Sequence, residues 1–367
     1  MSELERCLSD FEAECQAQET HPAGPSRFGG RLWLGIERAL MARFLEFDLG
    51  RYYGGEAADQ IVFQLRMQLF LRRHFPGHTL GRWVAPDLGV ALPATVLGVP
   101  WLPRPDQEPW ASGAAPICCP ADLVDRPLPD FHTAGMMPAV LRIHAQMKRL
   151  LGDSFAIGFP GWPRGPLGNA FYLAGCERTL TSMVQDRAFF HALMRYGMDA
   201  MEKWLTDRAG FLGEPMPTDA TVFNDEVSGE NFSARTYEEM IAPYDQEFRR
   251  FHGGKAGFHS CGNTSALMPA IAAAGPWSYM HVSAWSDLDK ALECFPDTTL
   301  VACLHPHREV LGCPFQTTQR RIREILDKCH GRPFVLAVSE LLPVNDPAQD
   351  LQRIKDVWSF CQEVWPD

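Results

Sequence analysis

His259 and Cys261 are the first pair whose residue types and spacing suggest chemistry. One residue separates them within the run Gly257–Cys261, which we predict to be a β-strand. Residues i and i+2 of a strand point to the same face, so an imidazole and a thiolate would face one ion. Zinc binds this mixture of nitrogen and sulfur ligands. The spacing alone is weak evidence, because a buried cysteine beside a hydrogen-bonded histidine gives the same pattern.

Short apolar runs alternate with longer amphipathic runs through the second half of the chain. This alternation predicts a parallel sheet with helices between its strands. The predicted strands are Phe155–Phe159, Thr221–Asn224, Gly257–Cys261, Tyr279–Ala284, Leu300–Leu304 and Phe334–Ser339. The predicted helices are Leu180–Leu205, Tyr237–Phe251, Thr264–Ala273, Leu288–Cys294 and Thr317–Cys329. Active sites of such folds lie at the carboxyl ends of the strands, where this chain carries many polar residues.

The first part of the chain has helical patterns. Arg31–Phe47 and Glu56–Phe75 are predicted helices, and Ala94–Val99 is a predicted strand. A final helix should begin with Asp346 as its N-cap and Pro347 at its first position.

Composition excludes several classes of protein. The 367 residues are 46% hydrophobic and 22% charged, which is typical of a globular protein. The net charge of -11 argues against a general nucleic-acid binder, which needs a basic face. Eleven irregularly spaced cysteines do not resemble a disulfide framework. We find no secretory leader and no apolar run long enough for a membrane span, so we expect a cytoplasmic protein with reduced thiols.

The residues around the histidine–cysteine pair resemble a known motif. His259-Ser-Cys-Gly-Asn-Thr is similar to the His-x-Cys-Gly-Asn motif of the zinc-dependent methyltransferases in the uroporphyrinogen decarboxylase superfamily, which transfer methyl groups between methylcobalamin and coenzyme M. Val301-Ala-Cys-Leu-His-Pro followed by Leu311-Gly-Cys-Pro is similar to the superfamily's Gly-Asn-x-x-Pro and Leu-x-Gly-Thr-Pro motifs, and Val335-Leu-Ala-Val-Ser-Glu is similar to its last strand. Phe223-Asn-Asp-Glu fits its strand with an acidic pair. The resemblance covers roughly residues 80 to 367.

The resemblance implies a (β/α)8 barrel, of the TIM type, with a zinc ion at the carboxyl-end mouth. We expect residues 1–80 to form a helical segment packed on a catalytic barrel of residues 81–367. The local pattern alone fits an open doubly wound sheet equally well. A homodimer is compatible with the sequence, which does not specify the oligomeric state.

Two departures from the superfamily's motifs limit which substrate and which ligand residues can be inferred from the resemblance. The decarboxylases bind substrate propionates through an Arg-Gln-Ala-Gly-Arg-Tyr segment, whereas Leu49-Gly-Arg-Tyr here lacks the first arginine. Asp87 matches their pyrrole-binding aspartate, and we identify no arginine partner for it. The coenzyme M branch has a cysteine as its third zinc ligand, and Glu340 falls at that position here. The expected metal ligands are His259, Cys261 and Glu340, with Cys303 as a rival or additional ligand.

A carboxylate ligand makes zinc a better Lewis acid towards oxygen than a second thiolate does. We therefore predict a zinc-dependent methyltransferase that moves a methyl group from a methylated small molecule, such as a methyl ether, to a corrinoid cofactor (cobalamin) or a corrinoid protein. Two alternatives remain. One is transfer from methylcobalamin to a thiol, and the other is a decarboxylase of another substrate, for which Arg51, Arg82 and Arg164 are the available cations. A non-catalytic barrel that binds a corrinoid or a tetrapyrrole is less well supported, because many metal-competent groups fall at the strand ends.

We predict functional roles for further residues at the mouth of the barrel. Each of them could instead serve only to stabilise the fold. Asp225, Glu226 and His281 are candidate catalytic groups for acid–base work or substrate contacts. The candidate cofactor-binding residues are Asp87, Asn263 and Trp162. His305, His307 and Trp285 also fall near strand ends, where solvent exposure or a lid role explains them as well. The adjacent Cys118 and Cys119 remain unassigned.

Overall fold

The centre of the protein is a parallel β-sheet of six strands, as a computed structural model covering residues 1–20, 28 and 30–365 shows. Its spatial order is β1-β10-β9-β8-β7-β6, so β1 and β6 are its edges. The strands are β1 Leu32–Ile36, β2 Trp83–Val84, β3 Trp101–Leu102, β4 Trp110–Ala111, β5 Ala156–Ile157, β6 Ala220–Phe223, β7 Ala256–His259, β8 Tyr279–Val282, β9 Thr299–Leu304 and β10 Phe334–Leu341.

Helices cover the sheet and extend before it. They are α1 Glu3–Thr20, α2 Arg38–Leu45, α3 Leu49–Tyr53, α4 Ala57–His74, α5 Leu92–Val96, α6 Met137–Leu151, α7 Pro166–Ala174, α8 Cys176–Gln185, α9 Arg187–Leu212, α10 Ala234–Met240, α11 Ala242–Phe251, α12 Met268–Ala274, α13 Leu288–Cys294, α14 Phe315–Lys328 and α15 Pro347–Val364. Short 3-10 turns occupy Pro120–Leu123 and Gly152–Ser154, and a π-helical turn occupies Pro306–Leu311. No helix in the described part of the chain combines the length and apolarity needed to cross a membrane.

The α/β class and the parallel sheet are confirmed, whereas closure into a complete barrel is not. Strands β2 and β5 form a separate parallel pair, with Trp83 opposite Ala156. Within the described residues, no strand pairing joins this pair to the six-stranded sheet. The sheet is therefore an open, curled one whose strands all present their carboxyl ends to the same side. The antiparallel hairpin β3–β4 stands apart from it.

The first strand corrects the prediction of one helix over Arg31–Phe47. Leu32–Ile36 forms β1 and pairs with β10, and only then does α2 begin at Arg38. The alternating apolar residues of Leu32-Trp-Leu-Gly-Ile suit a strand, and the sheet edge of β10 supplies the partner that local patterns cannot reveal. The division of the chain at residue 80 stays a prediction, although β1 places one strand of the sheet before it.

Two other predictions are wrong in detail. Ala94–Val99 is not a strand, because α5 begins at Leu92 with Pro93 in its first turn. The single helix predicted over Leu180–Leu205 is two helices, since the Asp186 side chain accepts a hydrogen bond from the backbone of Phe189 and starts α9 there. Similarly, α10 and α11 divide the segment Tyr237–Phe251.

The start of α15 agrees with the sequence prediction. The Asp346 carboxylate accepts hydrogen bonds from the backbone amides of Ala348 and Gln349, each at 3.1 Å, and Pro347 is the first helical residue.

We expect Asp346→Ala to lower the free energy of unfolding by about 1 kcal/mol, because two helix amides lose their acceptor. Urea unfolding measures the loss. Asp346→Asn, which keeps an acceptor, should cost much less; an equal cost would show that the cap is unimportant.

Candidate metal centre

Asp225, His259 and Cys261 bring three potential ligand atoms together at the carboxyl ends of β6 and β7. The Nε2 atom of His259 lies 3.3 Å from Sγ of Cys261 and 3.2 Å from Oδ1 of Asp225. All three ligand atoms lie within 4.8 Å of one another. A tetrahedral zinc ion with bonds of about 2.0–2.3 Å holds neighbouring ligand atoms about 3.3–3.8 Å apart. The two distances from His259 are close to this range, so the triad could hold a metal ion.

The Asp225 carboxylate also has an oxygen that suits a cation. Oδ1 is buried and makes no hydrogen bond of good geometry within the described residues, although His259 is near it. A buried acceptor without a partner is costly, and a metal ion would satisfy it. Asp225 therefore has the position of a potential metal ligand, and its expected role in acid–base chemistry stays a prediction.

Glu340 approaches the triad from β10 through a β-bulge. Leu34 pairs with Val338 but Ile36 pairs with Leu341, so β10 has one residue more than β1 here. Glu340 has a φ of 57°, a left-handed conformation that is unfavourable for a residue with a side chain. Its Oε1 atom lies 3.7 Å from Sγ of Cys261. Bulges re-aim side chains next to active sites, and this one turns the glutamate towards the triad.

Cys303, the rival ligand, contacts a different residue. Its Sγ atom lies 3.1 Å from Nε2 of His281, and it does not join the three-ligand cluster found in the described residues. Burial raises the pKa of the Cys303 thiol to about 12, so it is a neutral S–H group. Cys303 therefore has the geometry of a supporting residue, although its role in metal binding stays untested.

His281 is a buried neutral imidazole behind His259. Burial, and then the neighbouring His259, lower its pKa to about 3. Its Nδ1 atom lies 2.8 Å from the Ser260 carbonyl oxygen, to which Nδ1–H donates, leaving Nε2 to accept from Cys303. The ring centroids of His259 and His281 are 4.0 Å apart. These contacts hold the His281 ring beside that of His259, and its role as a catalytic group stays a prediction.

Arg164 supplies the positive charge of the site. The side chain is buried, forms a short ion pair with Asp225, and lies 3.8 Å from Oε1 of Glu226. Its Nε atom also donates to the Tyr172 hydroxyl at 2.8 Å. Burial would raise the pKa of Asp225, but His259 and Arg164 outweigh it and lower the pKa to about 2. Asp225 is therefore an anion throughout the physiological range.

Glu226 differs from Asp225, because its surroundings raise the pKa of its carboxyl group instead of lowering it. Burial raises its pKa, against the influence of Arg164, and the charge of Asp225 raises it further. Its Oε2 atom is buried and has no hydrogen-bond partner among the residues that the structure describes. Two adjacent carboxyl groups with separated pKa values form a pair in which one stays ionised and the other retains a proton more readily.

A buried hydrogen-bond network holds the acidic loop in place. Asn224 and Tyr237 donate to Asp245 at 2.8 Å and 2.9 Å. Asp245 is fully buried, and burial raises its pKa to about 7 despite these two donors. The network fixes Asn224, and through it the backbone that carries Asp225 and Glu226.

Asp245 gives a pH-dependent prediction. A carboxyl group with a raised pKa in the folded state makes its favourable contribution at low pH and loses it as the pH rises through about 7. We therefore expect Asp245→Asn to cost more stability at pH 5 than at pH 8. Urea unfolding at the two pH values tests this, and Asp350→Asn, a second buried aspartate, is the comparison. A cost that grows with pH would contradict the assignment.

Across the mouth, Asp87 has the arginine partner that the sequence did not reveal. Arg38 lies 3.1 Å from Oδ2 of Asp87, and Tyr52 donates to the same oxygen at 2.8 Å. Arg38 is the first residue of α2, two positions after the end of β1. A prediction of that strand would therefore have indicated Arg38 as a residue at a strand end. By contrast, Arg51 pairs with acidic residues outside the mouth, and Arg82 pairs with Glu12 on α1.

The remaining predicted residues occupy several environments. Trp162 is buried, its ring lies against that of Trp204, and its Nε1–H donates to Asn169. Asn263 accepts hydrogen bonds from the backbone and the hydroxyl of Ser265, within its own loop. Neither contact supports the expected role in cofactor binding.

Trp285 is exposed at the rim of the mouth, with Arg308 over its ring at 4.7 Å. His305 caps the π-helical turn by accepting from the amides of His307 and Arg308, each at 3.2 Å. Cys261, His281, Cys303, Trp285 and Glu340 line one cavity of about 150 Å³. The sulfur-containing and carboxylate groups are thus accessible to a small molecule. Cys118 and Cys119 are exposed in another cavity.

Comparison with known proteins identifies the family. The model of the family "Uroporphyrinogen decarboxylase (URO-D)" matches residues 88–359, so the chain belongs to this family. The resemblance found in the sequence is confirmed at that level. A solved structure of a "methyltransferase from Methanosarcina mazei" is similar with a TM-score of 0.65 and 14% identity, over 94% of this chain and 96% of that chain. At this identity the likeness shows a shared fold. No curated protein matches the sequence.

Proposed function

We propose that the protein is a zinc-dependent methyltransferase that moves a methyl group between a methylated small molecule and a corrinoid. The observation that carries the proposal is the triad of Asp225, His259 and Cys261 at the carboxyl ends of β6 and β7. Membership in the uroporphyrinogen decarboxylase family and a fold shared with a methyltransferase support it.

In this proposal Asp225, His259 and Cys261 hold the metal, and Glu340 is close enough to add a second carboxylate. Zinc would supply a Lewis acid that polarises a heteroatom of the methylated substrate. Arg164 keeps Asp225 ionised and in place. Glu226, with its raised pKa and its unpartnered Oε2, is the group that would hold a proton for a leaving oxygen or nitrogen atom.

The donor set favours demethylation over transfer to a thiol. Cys261 is the one thiol in the triad, while Cys303 pairs with His281. A set with one thiolate and at least one carboxylate is harder than a set with two thiolates, and suits an oxygen substrate. The decarboxylase alternative loses support, because Arg51 and Arg82 lie away from the mouth and Arg164 and Arg38 are both neutralised by aspartates.

Incubation of zinc-loaded protein with cob(I)alamin and a panel of methyl ethers and methylamines tests the proposal. We expect the absorbance of methylcobalamin to appear with at least one donor. Glu226→Gln should slow the reaction while leaving bound zinc unchanged. If instead methylcobalamin is consumed only when thiols are added, the direction of transfer is reversed. If neither reaction occurs at any zinc occupancy, the proposal fails. A corrinoid protein as partner and a homodimer remain part of the proposal, and replacing free cob(I)alamin by corrinoid proteins tests the former.

A further inference from the structure

The exposed thiols of the protein lie together in one cavity, away from the candidate metal centre. All eleven cysteines belong to the described part of the chain, and of these Cys118, Cys119 and Cys176 are the exposed ones. The three line a single cavity of about 740 Å³, whose lining includes neither Cys261 nor Cys303. Solvent access is one condition of cysteine reactivity, so this cavity is a candidate site for thiol chemistry.

Hydrogen bonds hold the two cysteine-bearing segments against each other. The Ile117 amide donates to the Leu173 carbonyl oxygen at 2.9 Å, and the Ile117 carbonyl oxygen accepts from the Arg178 guanidinium at 3.1 Å. Leu173 and Arg178 lie on either side of Cys176 in the sequence, and Cys118 directly follows Ile117. A disulfide requires Cα atoms about 4.4–6.8 Å apart, so a fixed closeness of the two segments is its first structural requirement.

The backbone of the Cys118–Cys119 pair is also fixed from its own side. Oδ2 of Asp122 accepts hydrogen bonds from the amides of Cys118 and Cys119, at 2.6 Å and 3.0 Å. These bonds hold the main chain while both side chains stay exposed to solvent. Cys176 is the first residue of α8, so its backbone is fixed as well. Both segments therefore present their thiols from an ordered main chain.

A preformed metal site does not explain this group of thiols. Within the described residues, the group of three His, Cys, Asp or Glu ligand atoms that lie within 4.8 Å of one another is the triad of Asp225, His259 and Cys261. A structural metal site needs four such ligands at short distances. Thiol–disulfide exchange needs only two thiols that can meet and access for the reagent.

The surroundings of Cys176 suit it to an intramolecular step. Partial burial, and then the charges of Glu226 and Glu177, raise the pKa of its thiol. At neutral pH the thiol is therefore mostly protonated and reacts slowly with a reagent in solution. A neighbouring thiol on the same protein tolerates a small thiolate fraction, because its effective concentration is high and a more basic thiolate is more nucleophilic.

We propose that Cys118, Cys119 and Cys176 form a thiol–disulfide exchange site that reacts with low-molecular-weight disulfides. The thiolate of Cys118 or Cys119 attacks one sulfur atom of a disulfide RS–SR, so a Cys–S–SR bond forms, the S–S bond of the reagent breaks and RSH leaves with the proton of the cysteine. Cys176 then attacks the cysteine sulfur of this mixed disulfide, and a second RSH leaves with the proton of Cys176. Two protein thiols are oxidised to one internal disulfide, and one RS–SR is reduced to two RSH. The proposal is independent of methyl transfer, because neither step uses the metal or the corrinoid.

The experiment treats the reduced full-length protein with bis(2-hydroxyethyl) disulfide, an uncharged reagent, at neutral pH. Samples are quenched with iodoacetamide over time, and mass spectrometry of the peptides locates each modification. We expect a transient adduct on Cys118 or Cys119, followed by a disulfide that joins one of them to Cys176. Intact protein should then have lost two hydrogen atoms and carry no adduct at these positions.

Cys176→Ser tests the second step. We expect the yield of internal disulfide to fall at least tenfold and the adduct on Cys118 or Cys119 to persist, because the thiol that removes it is absent. Cys294→Ser is the matched control, since Cys294 lies outside the cavity and partial burial raises the pKa of its thiol in the same direction. It should form the Cys176 disulfide as the unmodified protein does.

Three results would overturn the proposal: no internal disulfide in the unmodified protein, a disulfide that joins Cys118 to Cys119 instead, or an undiminished yield in Cys176→Ser. The first two come from the unmodified protein, so they stand even where a variant does not fold. Because no turnover is measured, these outcomes leave methyl transfer to its own test.

Discussion

Purified His259→Ala and Cys261→Ser proteins should bind zinc at least ~100-fold more weakly than the unmodified chain. Changes to residues that merely support a ligand typically cost 10–100-fold in metal affinity, and these two residues are expected to be ligands themselves. Competition with a chromogenic chelator measures the affinity, and elemental analysis measures the bound metal. Asp225→Asn should weaken binding to a similar degree, because it removes the anionic oxygen 3.2 Å from His259 Nε2.

Two further variants distinguish the ligands from their neighbours. Cys303→Ser changes another thiol at a neighbouring strand end and should retain zinc, because Cys303 contacts His281 and lies outside the triad. Glu340→Gln should weaken zinc less than Asp225→Asn does, since Glu340 is exposed and lies 3.7 Å from the Cys261 sulfur. Unchanged zinc content in His259→Ala and Cys261→Ser would refute the metal centre. Greater loss in Cys303→Ser than in Asp225→Asn would replace Asp225 by Cys303 in the ligand set.

The second large effect is expected at Arg164. Arg164→Met should lower the free energy of unfolding of the metal-free protein by about 3–5 kcal/mol near pH 7, because it leaves the carboxylates of Asp225 and Glu226 without their buried cation. The pKa of Asp225 is lowered in the folded state, so the stabilisation is complete above its unfolded pKa and is lost as the pH falls towards 2. Unfolding by urea at pH 7 and at pH 3 should show the difference between the two proteins shrinking in acid.

Arg235→Met is the matched control for Arg164. Arg235 forms a comparable pair with Glu239 at 2.7 Å, but its side chain is 84% exposed. We expect Arg235→Met to leave the stability almost unchanged, because water screens the charges of an exposed pair. Equal losses in the two variants would show that the buried ion pair has no special contribution.

The proximity of His259 and Cys261 was predictable from the sequence because the evidence for it is local. The alternation of strands and helices predicts a strand end at His259 and Cys261; in the structure β7 ends at His259, and Cys261 follows in the loop with its sulfur 3.3 Å from Nε2 of His259. The N-cap at Asp346 was predictable for the same reason: its partners are two and three residues away.

Contacts between distant segments could not be predicted in this way. β1 acquires its conformation from its pairing with β10, some 300 residues later, and Arg38 at its end was missed with it. The bulge at Glu340 inserts one residue into a strand without any signal in composition, yet it decides which side chain turns to Cys261. The proximity of Asp225 to His259 and Cys261 depends on the pairing of β6 with β7, which residue spacing does not contain.

The pairing of β1 with β10 also bears on how the chain can be divided for expression. A fragment that begins at residue 81 would lack β1 and leave the hydrogen-bonding edge of β10 open. The run Phe334-Val-Leu-Ala-Val would then be an unpaired apolar edge, which is a template for aggregation. The same cut would remove Arg38, Tyr52 and Tyr53, and with them the partners of Asp87 and Glu108. Binding and turnover are therefore best measured on the undivided chain.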